Sequence, residues 1–234
     1  MVNGANSHKR LLPLFLDLGS RSVVIFGGGG VGERKARLFS EFSRVTVISK
    51  SFTEGLLQME KDGSVKLVSV DLSKGYHEYL EGVFMIIPAT SDAELNRSIE
   101  IEASIRGIFV NKVDGIGDVV VPSLIRKGPI DIAISTKTPA LSKYLRLRLE
   151  RELGENFEDM ARLLGQIRKE IKKEVPDQTE RSRIIWSILS DREVWRLLDQ
   201  SYEKAYMRAR EQVPQHERDS LDAGDPPQSI DRRD

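Results

Sequence analysis

The sequence predicts an α/β chain: an N-terminal parallel sheet, then a small central segment, then helices. Three observations carry this. Residues 22–32 read Ser-Val-Val-Ile-Phe-Gly-Gly-Gly-Gly-Val-Gly, a β-branched and aromatic run breaking into a glycine turn and then into helix formers. After it, short apolar runs alternate with helix-length stretches as far as residue 113. From Glu155 to Val213 the pattern is helical.

The elements follow in order. Ser22–Gly27 reads as the first strand and Glu33–Phe42 as the first helix. Arg44–Ser49 is the second strand. Ser51 and Glu54 then form an S-x-x-E capping box that opens a helix over Phe52–Lys61, stopped by Asp62-Gly63. Val65–Val70 and Phe84–Ala89 are further strands. A second box, Ser91 and Glu94, opens a helix over Asp92–Arg106 that ends at Gly107, a left-handed C′ position. Ile108–Val113 is the fifth strand. Strands joined by helices of this length imply right-handed crossovers and a parallel sheet, a Rossmann-type domain over residues 1–112.

Residues 113–153 change character. Val119–Val121 and Ile130–Ser135 are short apolar runs separated by Pro122, Gly128 and Pro129. Two such strands are marginal alone, so they are expected to extend the first domain or to pair with another chain. Thr138 as N-cap and Pro139 at N1 start a helix in which Leu141, Leu145, Leu149 and Leu153 make an apolar stripe. Residues 154–213 form a helical domain interrupted at Pro176. A third box, Ser190 and Glu193, opens its last helix, with Val194, Leu197, Leu198 and Tyr202 near one face, and Trp186 and Trp195 serve the core or an interface. Residues 214–234 are polar and read as a disordered tail.

Composition narrows the chemistry. Among 234 residues, Lys+Arg and Asp+Glu both total 36, so no global field favours a nucleic acid or a membrane surface. The absence of cysteine excludes disulfides, thiolate metal sites, iron–sulfur clusters and a cysteine nucleophile, and it fits a cytoplasmic setting. His8, His77 and His216 are scattered, have no metal-ligand spacing and read as surface residues. No apolar run approaches the about 20 residues that span a bilayer, and Met1–Arg10 lacks the apolar core of a signal peptide.

Gly27, Gly29 and Gly32 fit G-x-G-x-x-G in the required strand–turn–helix context. Gly27 permits the tight turn, Gly29 the approach of a pyrophosphate, and Gly32 the packing of helix on strand. The anion would sit on the free N–H groups of the helix start. The end of strand two ordinarily carries an acid for the ribose 2′-hydroxyl, but here it reads Ser49-Lys50-Ser51. The serines or backbone could hold the ribose, Lys50 could accept a 2′-phosphate, or Lys50 could simply be solvated. Asn111-Lys112-Val113-Asp114 follows strand five, at the sheet edge where such folds place ligands. Asp114 there is either a general base or, with Gly115, a turn aspartate.

Six segments together resemble the precorrin-2 dehydrogenase family, also the N-terminal module of siroheme synthase. They are Leu-Pro-Leu-Phe-Leu-Asp-Leu (12–18), Gly-Gly-Gly-Gly-Val-Gly-Glu-Arg-Lys-Ala (27–36), Ala-Thr-Ser-Asp (89–92), Asn-Lys-Val-Asp (111–114), Val-Pro-Ser-Leu-Ile (121–125) and Thr-Pro-Ala-Leu-Ser (138–142). The resemblance covers Leu12 to about Leu153; the helical region beyond is compatible in length and carries little signature. It implies oxidation of precorrin-2 to sirohydrochlorin with NAD accepting hydride, in siroheme or related tetrapyrrole synthesis. It matches Asp114 to the family's essential aspartate, which takes the proton lost with the hydride. Gly30, Val31, Lys50 and Ser51 match cofactor-contact positions, favouring NAD over NADP, and Thr90 joins that set.

The resemblance further implies a homodimer interlocked through the region after the first domain. Ser135, Thr136, Lys137 and Arg126 are the substrate-binding candidates. Precorrin-2 carries eight carboxylates, and Arg126, Lys127, Lys137, Lys143 and Arg146 supply cations close together in sequence. Some relatives also insert iron into sirohydrochlorin with the same aspartate, so a bifunctional dehydrogenase and ferrochelatase is one alternative. A non-catalytic NAD-sensing module is another. Two departures stand out. Relatives often read Ile-Ser-Thr-Gly-Gly-x-Ser-Pro-Ala, whereas Ile134-Ser135-Thr136-Lys137-Thr138-Pro139-Ala140 is two glycines short, a tighter loop that bears on the substrate contacts of Ser135 and Thr136 if that loop touches substrate in relatives. Relatives also commonly carry Ala where this chain has Gly32, a change expected to be harmless for helix–strand packing.

Overall fold

The computed structural model describes residues 11–136 and 138–214. The chain divides into two compact units, Met1–Val121 and Pro122–Asp234.

The first unit is built on β1 (Ser22–Phe26), β2 (Arg44–Ser49), β3 (Lys66–Ser69), β4 (Met85–Pro88) and β5 (Phe109–Val110). They form one sheet in the order β3-β2-β1-β4-β5, with every pairing parallel. Helices α1 (Gly30–Ser40), α2 (Glu54–Lys61) and α3 (Ala93–Ile105) cover it. Successive residues of β1 point to opposite faces, and both faces are buried. Val23 and Ile25 pack with Ala36 and Phe39 of α1 and with Leu56 and Met59 of α2. Val24 and Phe26 pack with Ile99 and Ala103 of α3 and with Leu72, Tyr76 and Leu80. The latter three come from two 3₁₀ turns, Leu72–Lys74 and His77–Leu80, which join β3 to β4 in place of a helix. His77 is exposed, while His8 and His216 lie outside the described residues.

The expected helix starts are displaced. Thr53, not Ser51, caps α2, accepting from the Leu56 N–H at 3.3 Å. Asp92, not Ser91, caps α3, accepting from the Glu94 and Leu95 N–H groups at 2.9 and 3.0 Å. Next to each serine stands a better-placed oxygen, and an Asp adds a favourable charge at the helix dipole. Strand five is shorter than Ile108–Val113: the pairing ends at Val110, with one further bond from the Asn111 N–H to the Ile86 carbonyl at 3.0 Å. Val119–Val121 is not a strand either: Asp118 and Val119 N–H both donate to the Val110 carbonyl at 2.9 and 3.2 Å. Val113, Val119 and Val121 pack against the first unit's core.

The second unit begins with β6 (Ser123–Lys127) and β7 (Ile130–Ile134), an antiparallel hairpin in which Lys127 faces Ile130 across Gly128-Pro129. Gly128, at φ +52°, supplies the positive dihedral that a two-residue hairpin turn needs. β7 therefore finds its partner within its own chain, in a strand hidden by its polar sequence Ser-Leu-Ile-Arg-Lys. Helices α4 (Pro139–Glu152), α5 (Glu155–Glu174), α6 (Gln178–Ser190), α7 (Arg192–Leu198) and α8 (Tyr202–Arg210) follow. Thr138 is the N-cap of α4, with Pro139 at its start. In the expected leucine stripe Leu141 is exposed, and Ser142 is the buried residue of this helix.

Met160, Leu163, Ile167 and Ile171 line one face of α5 and make a core with Ile184, Ile188, Val194, Leu198, Ala205 and Ala209. Pro176 lies between α5 and α6, where its missing N–H breaks no helical bond. Asp191, not Ser190, caps α7, accepting from Glu193 N–H at 2.8 Å. The expected last helix is two helices, since Ser201 caps a new one, accepting from the Lys204 N–H, and Tyr202 is its first residue. Trp195 packs on this core and donates from Nε1 to the Leu189 carbonyl at 2.8 Å. Trp186 is 64% exposed and is no core residue. Among the described residues no helix is long and apolar enough to cross a membrane. The tail from residue 215 lies outside the described residues.

Candidate functional site

The sheet order reverses between β1 and β4, the place where open α/β sheets bind ligands at the carboxyl ends of the strands. A cleft of about 720 Å³ opens there, lined by residues 27–31, 49–53, 70–73 and 89–92 together with Leu95. Gly27 takes φ +120°, and its N–H donates to the Ile48 carbonyl at 2.9 Å. A Cβ on Gly27 would fall on the Ala89 carbonyl, and one on Gly28 would fall on the Ser51 carbonyl. Gly28, an unassigned position of the fingerprint, is thus as crowded as Gly27. Its carbonyl also accepts from the Thr53 N–H at 3.1 Å, tying the loop to the start of α2.

A Cβ on Gly32 would fall on the Gly27 carbonyl, with Ile25 Cγ2 at 3.6 Å. Glycine is thus accommodated here without strain, while an alanine would press on that carbonyl unless the loop shifted. Gly29 and Gly30 differ, because a Cβ on either meets nothing within 4 Å. Gly29 is the N-cap of α1, and no side chain caps that end. The open space therefore faces uncapped N–H groups and the positive dipole end, which fits a pyrophosphate.

Gly27, Gly29, Gly30, Val31, Lys50, Ser51 and Thr90 all line this cleft, whereas Gly32 is buried behind it. Thr90 is locked to Asn96: its N–H and its hydroxyl reach Asn96 Oδ1 at 3.1 and 2.7 Å, and Asn96 Nδ2 donates to the Thr90 carbonyl at 3.0 Å. Asp71 was not legible as a site residue. It follows β3, lines the same cleft and pairs with Lys50 at 3.0 Å. Hydrogen bonds from Ser73 and the Lys50 ammonium hold its carboxyl down to about 2. An acid thus lines the cleft beside Lys50, contributed by the segment after β3 rather than by the end of β2.

Asp114 lies in a second cavity of the first unit, about 660 Å³, with Arg97, Glu100, Lys112 and Asp118. Lys112 pairs with Glu100 at 2.5 Å. Asp114 is exposed and precedes Gly115 at φ +89°, so it sits on a turn at the lip of a cavity. The loop beneath it is tied down. Asn111, 3% exposed, accepts from Lys35 Nζ at 2.7 Å and donates to the Val119 carbonyl at 2.8 Å. Burial, and secondarily Arg34, lower the Lys35 pKa. Asn111 and Lys35 both stand in the motif segments, but their contact joins residues far apart in sequence.

The substrate-binding candidates lie in the second unit. Arg126 is on β6 and pairs across the hairpin with Asp131 at 3.3 Å. Ser135 is exposed after β7. The Thr136 hydroxyl bonds to the Thr138 carbonyl at 2.6 Å and the Ser142 hydroxyl at 2.8 Å, the local web of the shortened loop. Lys137 lies outside the described residues. The other cations of the sequence cluster are partly engaged. Lys127 reaches the carbonyls of Glu150 and Leu153 at the end of α4, and Arg146 pairs with Glu150 at 2.6 Å.

A parallel sheet of this order, with an uncapped glycine-turn helix facing a cleft, defines a Rossmann-type dinucleotide-binding protein. Comparison with known proteins agrees: a family model described as "Putative NAD(P)-binding" matches residues 14–123. The chain is 44% identical over 85% of its length to a precorrin-2 dehydrogenase of Methanosarcina barkeri, covering 91% of that protein. The chain belongs to the precorrin-2 dehydrogenase family. It is 34% identical over 78% of its length to siroheme synthase 1 of Aeromonas hydrophila, of which it spans only 39%. The solved structure of SirC, a precorrin-2 dehydrogenase, shares the fold, with a TM-score of 0.68 over 86% of this chain and all of that one, at 22% identity.

Proposed function

We propose that this chain oxidises precorrin-2 to sirohydrochlorin with NAD as the hydride acceptor, in siroheme and related tetrapyrrole synthesis. The cleft at the uncapped start of α1, in a chain related along most of its length to a precorrin-2 dehydrogenase, carries this reading. Bound NAD supplies one chemistry, acceptance of a hydride. The chain does the rest. The N–H groups of Gly30, Val31 and Gly32, at the start of α1, would hold the pyrophosphate at the helix dipole. Lys50 and Ser51 would meet the adenosine ribose, and Thr90, fixed by Asn96, would contribute to the same cleft. Asp114 takes the substrate proton, on a loop held by Asn111. Ser135, Thr136, Lys137 and Arg126 meet the substrate's carboxylates.

In this reading the protein works in the cytoplasm as a homodimer joined through the second unit. A two-stranded sheet is marginal by itself, and α4 leaves Leu141 and Tyr144 48% and 60% exposed, as an element awaiting a second copy would. The test is anaerobic incubation with precorrin-2 and NAD, followed by the absorption of sirohydrochlorin. NAD-dependent formation is expected. Tight NAD binding without turnover would refute the dehydrogenase and leave a nucleotide-sensing module.

A further inference from the structure

We infer that Asp71 sets the cofactor choice of this protein by neutralising Lys50, excluding a 2′-phosphate from the cleft. The inference rests on NAD being the cofactor and names the group that selects it. Among the described residues lining the cleft, Lys50 is the one cation. It stands one residue past β2, at the place where this fold meets the adenosine ribose. Alone it would draw a 2′-phosphate, which carries about −1.5 to −2 charges near neutral pH.

Lys50 is not alone. Its Nζ lies 3.0 Å from Asp71 Oδ1. Asp71 is itself fixed, because Oδ1 also accepts from the Ser73 N–H at 3.0 Å and the Ser73 hydroxyl at 2.6 Å. The side chain of Asp71 is 27% exposed and that of Lys50 66%, so the acid is the better-anchored partner. A 2′-phosphate reaching Lys50 must either strip it from Asp71 or share the site with that carboxylate. Both alternatives weaken NADP, while an uncharged ribose hydroxyl meets an acceptor. Asp92, the other acid of the cleft, is engaged by the first N–H groups of α3 and does not substitute.

The experiment measures the affinities of NADH and NADPH by cofactor fluorescence on the full chain. Wild type should favour NADH. In Asp71→Asn, which keeps an oxygen for Ser73, the ratio of NADPH to NADH affinity should rise about tenfold at low salt, as expected for two exposed charge interactions acting together. Roughly 0.5 M salt should erase most of that gain, which a merely structural defect would not do. Adding Lys50→Met to Asp71→Asn should return the ratio towards wild type. Lys50→Met alone, a check independent of how well Asp71→Asn folds, should lower the ratio, because Asp71 then faces the phosphate uncompensated. An NADH-preferring wild type whose ratio stays within about twofold in either single variant overturns the role of Asp71 and spares the NAD reading. A wild type that prefers NADPH overturns the NAD reading, and this inference with it.

Discussion

Replacing Gly32 by alanine tests whether backbone crowding, rather than ligand approach, fixes the last glycine of the turn. The new methyl would overlap the Gly27 carbonyl oxygen, with Ile25 Cγ2 behind it at 3.6 Å. Swinging that carbonyl away turns the Gly27–Gly28 peptide and pulls on the next carbonyl, that of Gly28, which accepts from the Thr53 N–H at 3.1 Å. Overpacking of this kind costs about 1–3 kcal/mol. Alanine in a helix recovers about 0.5–1 kcal/mol of that. Because the clash is with backbone, its cost falls in the upper half of that range, and the net destabilisation is about 1–2.5 kcal/mol, a fall in melting temperature of roughly 3–10 °C for a unit of this size. Any relief by rotating the Gly27 peptide also shifts the amides of residues 29–31, so NADH affinity should fall about tenfold, equivalent to roughly 1.4 kcal/mol. Gly30→Ala is the control for stability, since its Cβ meets nothing within 4 Å. Thermal melts and NADH titrations of both variants decide the matter. A Gly32→Ala protein that melts and binds as wild type does would refute the crowding argument.

Asp114→Ala should retain NADH binding, since Asp114 lines a different cavity, and should lose about 10²–10⁴-fold in turnover, the range for a general base. Near-normal anaerobic oxidation of precorrin-2 would remove it from the mechanism. Asn111→Leu leaves the Lys35 ammonium and the Val119 carbonyl without their amide and should destabilise by about 1–3 kcal/mol in urea melts. The Asp71 carboxyl, held at about 2 against an ordinary 3.8, binds its proton less readily in the folded chain than in the unfolded one. Its contribution to stability is therefore complete above pH 3.8 and is lost as the pH falls towards 2. Urea midpoints of Asp71→Asn should accordingly depend less on pH in that window than those of wild type, and identical slopes would contradict the assignment.

The sheet was legible in the sequence because β1, β2 and β4 are β-branched runs closed by turn residues, a pattern set by burial on both faces. The glycine turn is legible for a related reason: the positive φ and close backbone at Gly27 call for glycine, and the close backbone at Gly32 calls for a small residue. Helix starts were read one or two residues early, at Ser51, Ser91 and Ser190. A capping box specifies residue types, while the choice between neighbouring oxygens depends on backbone angles the sequence does not spell out. β6 was missed because Ser-Leu-Ile-Arg-Lys buries only Ile125 and announces no apolar run. Lys50 was visible and its partner was not. The contact of Asp71 with it comes from strand pairing, which brings Val70 and Asp71 beside Ser49 and Lys50 across twenty residues of chain. The tie between Lys35 and Asn111 escaped for the same reason, since no local pattern records which ends of a sheet's connections meet.

The nearest obstacles at Gly27, Gly28 and Gly32 are the carbonyl oxygens of Ala89, Ser51 and Gly27, all main-chain atoms, with the Phe52 ring behind the second. That has a genetic meaning. A side-chain clash can be relieved by trimming the neighbour, so a damaging substitution in an ordinary core has potential suppressors at the point of contact. A carbonyl is present whatever residue bears it, and no exchange at position 89, 51 or 27 deletes the atom in the way. A lesion in this turn is therefore relieved by a shift of backbone rather than by a compensating side chain, as in relatives that carry Ala at the position of Gly32.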